Sequence, residues 1–180
     1  VAEVRNRGHL WRQSFQLGVP DADLEQVRPM ESGEGTGTTV TWYASDDIFE
    51  ATHYNLETIT SRLREMAFLN KGLEIRLEDE RDPEAEPTVF RYAGGIGGFV
   101  KHVNASKEAL FEQVGYFADE GDAEWVEIAF AWNTGYQIDG VHSFANGINT
   151  IEGGMHEQGF RSALTRTVNA YARDKGLLKE

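Results

Sequence analysis

Apolar residues recur along this chain with two different periods. Leu56, Ile59, Leu63, Met66 and Ala67 form a helical stripe, and Gly72 follows where a helix would stop. Leu73, Ile75 and Leu77 then alternate with Glu74, Arg76 and Glu78, which predicts a half-buried strand. The charged run Glu78–Pro87 reads as an exposed hairpin loop returning into a strand over Thr88–Tyr92. Gly94-Gly95-Ile96-Gly97-Gly98 opens a short helix carrying Phe99, Val100 and Val103. Further on, Trp125–Trp132 alternates, Asn133-Thr134-Gly135 turns, and Tyr136–Asn146 returns, which predicts a hairpin. A strand through Ser143–Thr150 breaks at Gly153-Gly154 and restarts as a helix. Its stripe is Phe160, Ala163, Leu164, Val168 and Tyr171, a face that must pack back on the sheet.

The first fifty residues are more irregular. Val1–Leu17 reads as two short strands around Arg7-Gly8, the second alternating as far as Leu17. Pro20–Gly35 reads as a polar loop. Gly35-Thr36-Gly37 is a glycine-rich turn into an edge strand over Val40–Tyr43. Asp46-Asp47 precedes a single helical turn at Ile48–Glu50.

Composition narrows the classes. The chain has 180 residues, 40% hydrophobic and 11% aromatic, enough for one large or two small domains with a real core. It has no cysteine, which excludes disulfides, zinc–thiolate sites and a thiol nucleophile and fits a reducing, cytoplasmic setting. A net charge of −13 argues against a broad nucleic-acid groove. It still allows a small basic cavity, because phosphate contacts need only a few placed arginines. No apolar run is long enough to span a membrane, and Val1 stands in what reads as a strand, so we expect a piece of a longer protein.

Most chemical motifs fail on inspection. The glycines at 94–98 lack the Lys-Ser/Thr of a phosphate loop, and a helix start with room for close packing explains them. His156-Glu157 resembles the start of a zinc-protease helix, but Phe160 stands where the second histidine belongs. The five histidines do not pair at ligand spacing, and no Gly-x-Ser-x-Gly supports a serine nucleophile. Arg161, directly after Gly159-Phe160, reads on position alone as a surface arginine beside a helix core.

One long pattern goes further. Phe144, Asn146, Ile148 and Thr150, then Glu152, Gly153, Gly154, His156, Gly159 and Phe160, then Thr165-Arg166, resemble the second-domain signature of the B-subunit family of type IIA DNA topoisomerases. The segment Arg62–Leu73 is similar to the same family, with gyrase-type B subunits nearest and topoisomerase IV B subunits just behind. The resemblance implies an α+β fold, in which residues 1–45 close a GHKL-type ATPase domain and 46–180 form a transducer domain of the ribosomal-protein-S5 type. It implies an ATP- and magnesium-dependent enzyme that passes one DNA duplex through another. It further implies a gyrase A partner in an A2B2 assembly and B-subunit dimerisation on ATP binding.

Residue by residue, Thr38 takes the place of the family threonine that bonds near the adenine of ATP. Arg161 matches an arginine lining the cavity through which DNA passes. The family's catalytic glutamate, magnesium-binding asparagine, ATP lid and γ-phosphate lysine match nothing here, so the chain alone is expected to be catalytically silent. Asn6 stands where gyrases place an arginine near their coumarin pocket, which leaves that site open. Two alternatives remain: a topoisomerase IV B subunit, and a non-catalytic S5-like interaction module.

Overall fold

The computed structural model describes residues 1–122, 124–135 and 140–178. It divides into two compact units, Val1–Asn55 and Leu56–Glu180. No helix among the described residues is long and apolar enough to cross a membrane.

The first unit is an antiparallel sheet. Strand β1 (Ala2–Asn6) turns through Arg7 and Gly8, at φ 52° and 76°, into β2 (His9–Gln13). Positive φ at both central residues matches the twist of the strands they join, and glycine takes such a conformation without strain. The second strand does not run on to Leu17. It breaks at Ser14, and Phe15–Gln16 (β3) pairs with Val19–Pro20 (β4) across Leu17 and Gly18, at φ 50° and 83°. Pro20–Gly35 is not wholly loop either: Glu25–Pro29 forms β5, paired with β2 across a register shift at Leu10/Trp11. The expected strand over Val40–Tyr43 lies earlier, as β6 (Gly37–Val40). Trp42 and Tyr43 are exposed beyond it.

The strand order is β5-β2-β1-β6, so β6 is an edge, as its glycine-rich approach predicts. None of the residues of this unit is fully buried; Val4, Leu10 and Trp11 are half-buried. A single turn at 46–48 and a Trp42–Tyr54 edge-to-face contact close the unit.

The second unit carries the buried core. Helix α1 (Leu56–Leu69) ends before Gly72, whose φ of 92° is the left-handed stop that its position predicts. Strands β7 (Glu74–Leu77) and β8 (Thr88–Arg91) form the expected hairpin with an exposed charged loop. Helix α2 (Gly95–Val103) follows the glycines. A Cβ on Gly98 would stand 3.3 Å from the Phe68 ring, so that glycine lets the ring approach, as expected of a close-packed helix start. Ala67, Phe68, Phe90 and Phe99 are the buried apolar side chains. Phe68 stacks on Tyr92 with centroids 3.6 Å apart, and Arg64 lies 5.8 Å over Phe90.

Two expectations about the later chain are corrected. Among the described residues, Trp125–Phe130 (β10) pairs with no strand C-terminal to it. Its partner is the preceding β9 (Gly115–Glu120), and Asn133 instead bridges back to Ala109. Tyr136–Asp139, the first part of the expected return, lies outside the described residues. The segment from Ser143 is also not one strand. Phe144–Ala145 (β11) and Ile148–Asn149 (β12) pair across Asn146-Gly147, at φ 50° and 73°. Helix α3 (Met155–Asp174) forms as its periodicity predicts, but it buries no residue. Phe160 and Leu164 are half-buried, whereas Val168 and Tyr171 are 50% and 60% exposed. Phe160 meets Phe130 at 6.4 Å, and Lys175 of the chain just beyond the helix lies 5.8 Å over the Tyr171 ring.

Candidate functional site

Thr38 sits in β6 opposite Val4, which in turn faces Trp11 of β2. Opposed residues of antiparallel strands share a face, so Thr38 stands beside an apolar strip. Its side chain is exposed, and its hydroxyl makes no hydrogen bond to a described residue. The arrangement offers one hydroxyl and a flat apolar surface.

The opposite face positions the turn that feeds β6. Arg28 holds Glu34 through two bonds of 2.8 Å, and the Glu31 amide donates to the same carboxylate at 3.0 Å. Arg5 reaches it at 3.9 Å, and a Cβ on Gly37 would lie 3.0 Å from the Arg5 guanidinium. The Arg28 bond, followed by the Glu31 amide, holds the Glu34 carboxyl down at about 2. Depression below the unfolded carboxylate value means that Glu34 stabilises the fold fully above about 4.5. That stability is lost as pH falls towards 2. We expect the Glu31 amide to lose hydrogen-exchange protection across that window in the wild-type chain. In E34Q, protection should be weaker at neutral pH and flat with pH; an equal pH slope in E34Q would refute the assignment.

The second constellation surrounds the start of α3. Gly153 has φ 75°, a conformation that favours glycine, and Gly154 is extended. A Cβ on Gly154 would stand 2.7 Å from the His156 ring, so the pair of glycines gives the chain its turn and the histidine its room. Ser143 and Thr150 close the β11–β12 hairpin: the Thr150 amide and hydroxyl donate to the Ser143 carbonyl at 2.8 and 3.0 Å. The two hydroxyls are 2.6 Å apart, and Ser143 donates to Glu157 Oε2 at 2.7 Å. Arg161 Nε donates to Glu157 Oε1 at 2.8 Å. His156 Nε2 lies 3.4 Å from the Thr150 hydroxyl. Ser143 first and Arg161 second hold the Glu157 carboxyl below its ordinary range. Ser143, Thr150, Glu157 and Arg161 border a shallow cleft with Glu152 and Gly153. On the far side of the hairpin, Arg62 of α1 donates to the Gly147 carbonyl at 2.8 Å.

This geometry holds a helix start and presents a cation; it does not activate a nucleophile. Ser143 donates its proton to a carboxylate already engaged by an arginine, and His156 is at the long limit of a hydrogen bond. Arg161 is 52% exposed, and among the described residues its side chain bonds only through Nε, which leaves its Nη edge open. Sequence reasoning singled out Thr38 and Arg161, which the structure places in separate units. It missed Ser143, Thr150 and Glu157 as a cluster. The one available signal was the Asn146-Gly147 turn, which folds Thr150 back against Ser143.

Comparison with known proteins gives these sites a family. Residues 95–180 match the DNA gyrase B family. The DNA gyrase B subunit of Streptomyces coelicolor is 45% identical over an alignment spanning 100% of this chain and 28% of that protein. Its Haloferax volcanii counterpart is 44% identical over 99% of this chain and 28% of its own length. Among solved structures, the 43K ATPase domain of Thermus thermophilus gyrase B, in complex with an aminocoumarin, aligns with a TM-score of 0.77. It is 32% identical over 99% of this chain and 48% of that one. The chain thus spans less than a third of the curated relatives it matches.

The mixed helix-and-sheet fold and the Glu152–Arg161 segment define a sequence of the type II DNA topoisomerase B-subunit class. Within that class, the chain belongs to the DNA gyrase B family.

Proposed function

We propose that this chain is a segment of a gyrase B subunit, which couples ATP binding and hydrolysis to passage of one DNA duplex through another and to negative supercoiling. The observation that carries the reading is 45% identity to a gyrase B subunit along the whole chain, through both compact units. Residues 1–45 serve as the end of a GHKL-type ATPase domain, and 46–180 as an S5-like transducer. The absence of strand from 41 to 55 supports a boundary in that stretch. Duplex DNA, a gyrase A subunit in an A2B2 assembly and a second B subunit are the partners.

Thr38 fits an adenine-side contact with ATP: its exposed hydroxyl stands beside the apolar Val4–Trp11 strip, where a flat base could lie. ATP supplies the free energy of the cycle when bound; Thr38 contributes orientation. Magnesium belongs to the whole subunit, with its main ligands outside this segment; among the described residues no three acidic or histidine side chains are grouped to hold a metal ion. Arg161 presents its Nη edge to the DNA.

Nucleotide titration of the full-length subunit and of the isolated chain tests this reading. T38A in the full-length subunit should weaken binding of a non-hydrolysable ATP analogue by about two- to tenfold, the value of one partly hydrated hydrogen bond. The isolated chain should neither hydrolyse ATP nor supercoil DNA. ATP hydrolysis by the isolated chain, abolished by T38A, would overturn the assignment.

A further inference from the structure

We infer that Glu157 is a positioning residue that holds the Arg161 guanidinium ready for a DNA phosphate. The inference rests on reading Arg161 as a DNA-facing residue, and it adds how the arginine is prepared.

Both oxygens of the carboxylate are occupied, and from different elements. Oε1 accepts from Arg161 Nε one helical turn on, at 2.8 Å. Oε2 accepts from Ser143 at the mouth of the β11–β12 hairpin, at 2.7 Å. Ser143 is fixed in turn through its carbonyl, which accepts from the Thr150 amide at 2.8 Å and the Thr150 hydroxyl at 3.0 Å. An ordinary surface pair four residues apart on a helix lacks this second anchor and contributes little. Here the two partners also differ in exposure, 17% for the Glu157 side chain and 52% for Arg161. The anchor is sheltered and the cation reaches out.

The choice of nitrogen matters as much. Arginine binds phosphate best through two parallel N–H bonds from one edge. Engaging Nε with Glu157 leaves the Nη1–Nη2 edge without a hydrogen bond to any described residue. The bond also fixes the plane of the guanidinium, so less rotational freedom remains to be lost when a phosphate arrives.

The test uses the full-length subunit reconstituted with its A partner and linear duplex DNA as the probe. The readout is the DNA concentration that half-saturates stimulation of ATP hydrolysis. E157A should raise it about two- to tenfold, with the rate at saturating DNA changed less. E157Q should raise it less than E157A, because the glutamine carbonyl still accepts from Nε. S143A should fall between wild type and E157A. In the R161Q background, E157A should add nothing. Tighter DNA binding by E157A would make Glu157 a repelling charge and overturn the inference. An equal E157A effect with and without Arg161 would also overturn it, placing the role in the helix start alone. If R161Q itself leaves DNA dependence unchanged, the DNA-facing reading of Arg161 fails first. If R161Q acts and E157A does not, only the positioning role fails. Should E157A not fold, E157Q and S143A carry the same comparison.

Discussion

Replacing Phe68 by alanine is expected to destabilise the second unit by about 3–5 kcal/mol, the range for a buried aromatic truncated in a core. Phe68 is 4% exposed and lies between three elements. It stacks on Tyr92 at 3.6 Å, and its ring is 5.6 Å from Phe99 and 5.5 Å from His102 of α2. Gly98 touches it from the first turn of that helix. Loss of the ring removes its transfer free energy and leaves a cavity walled by rings that cannot all move inward. Chemical denaturation of the chain, followed by circular dichroism, should show a lower midpoint with an unchanged slope. M66A gives the contrast. Met66 is 36% exposed two residues earlier on the same helix, and its loss should cost well under half as much. Equal costs for the two would mean that α1 is not seated as the structure has it.

Gly115→Ala is expected to cost about 1–3 kcal/mol, the range for a well-packed site forced to take an extra carbon. Gly115 in β9 faces Phe130 in β10, and a Cβ there would stand 2.5 Å from the tip of that ring. The ring cannot withdraw freely. It meets Trp132 edge-to-face at 5.0 Å and lies 6.4 Å from Phe160 of α3. Alanine in a strand would otherwise gain about 0.5–1 kcal/mol over glycine, so a net loss means that the clash wins. Trp132 fluorescence should shift in G115A even where the chain is fully folded. In G115A/F130L, with a smaller side chain opposite, part of the loss should return. A stabilised G115A would show that the Phe130 ring does not lie over Gly115.

Much of the local structure was legible in particular residues. Arg7-Gly8 and Gly72 marked turns and ends because positive φ is a property of one or two residues. The three helices stood where apolar spacing put them, because that period is set within a few turns. The same turn chemistry was present at Asn146-Gly147 and went unused, so a hairpin was read as a strand. Strand β5 gave no alternation: Glu25–Pro29 lies on the sheet with one half-buried residue.

By itself, then, the sequence determined the turns, the helices and a resemblance spanning most of the chain, which implied the mixed helix-and-sheet class, all properties of short-range pattern or of residue identity. Tertiary structure decided which elements met. It paired β10 with β9, chose Phe68 over Met66 for the core, and left the far half of the α3 stripe exposed. It also brought Ser143, fourteen positions away, onto Glu157. Strand pairing, burial and a carboxylate's second partner depend on groups distant in sequence, and no local period encodes which distant group arrives.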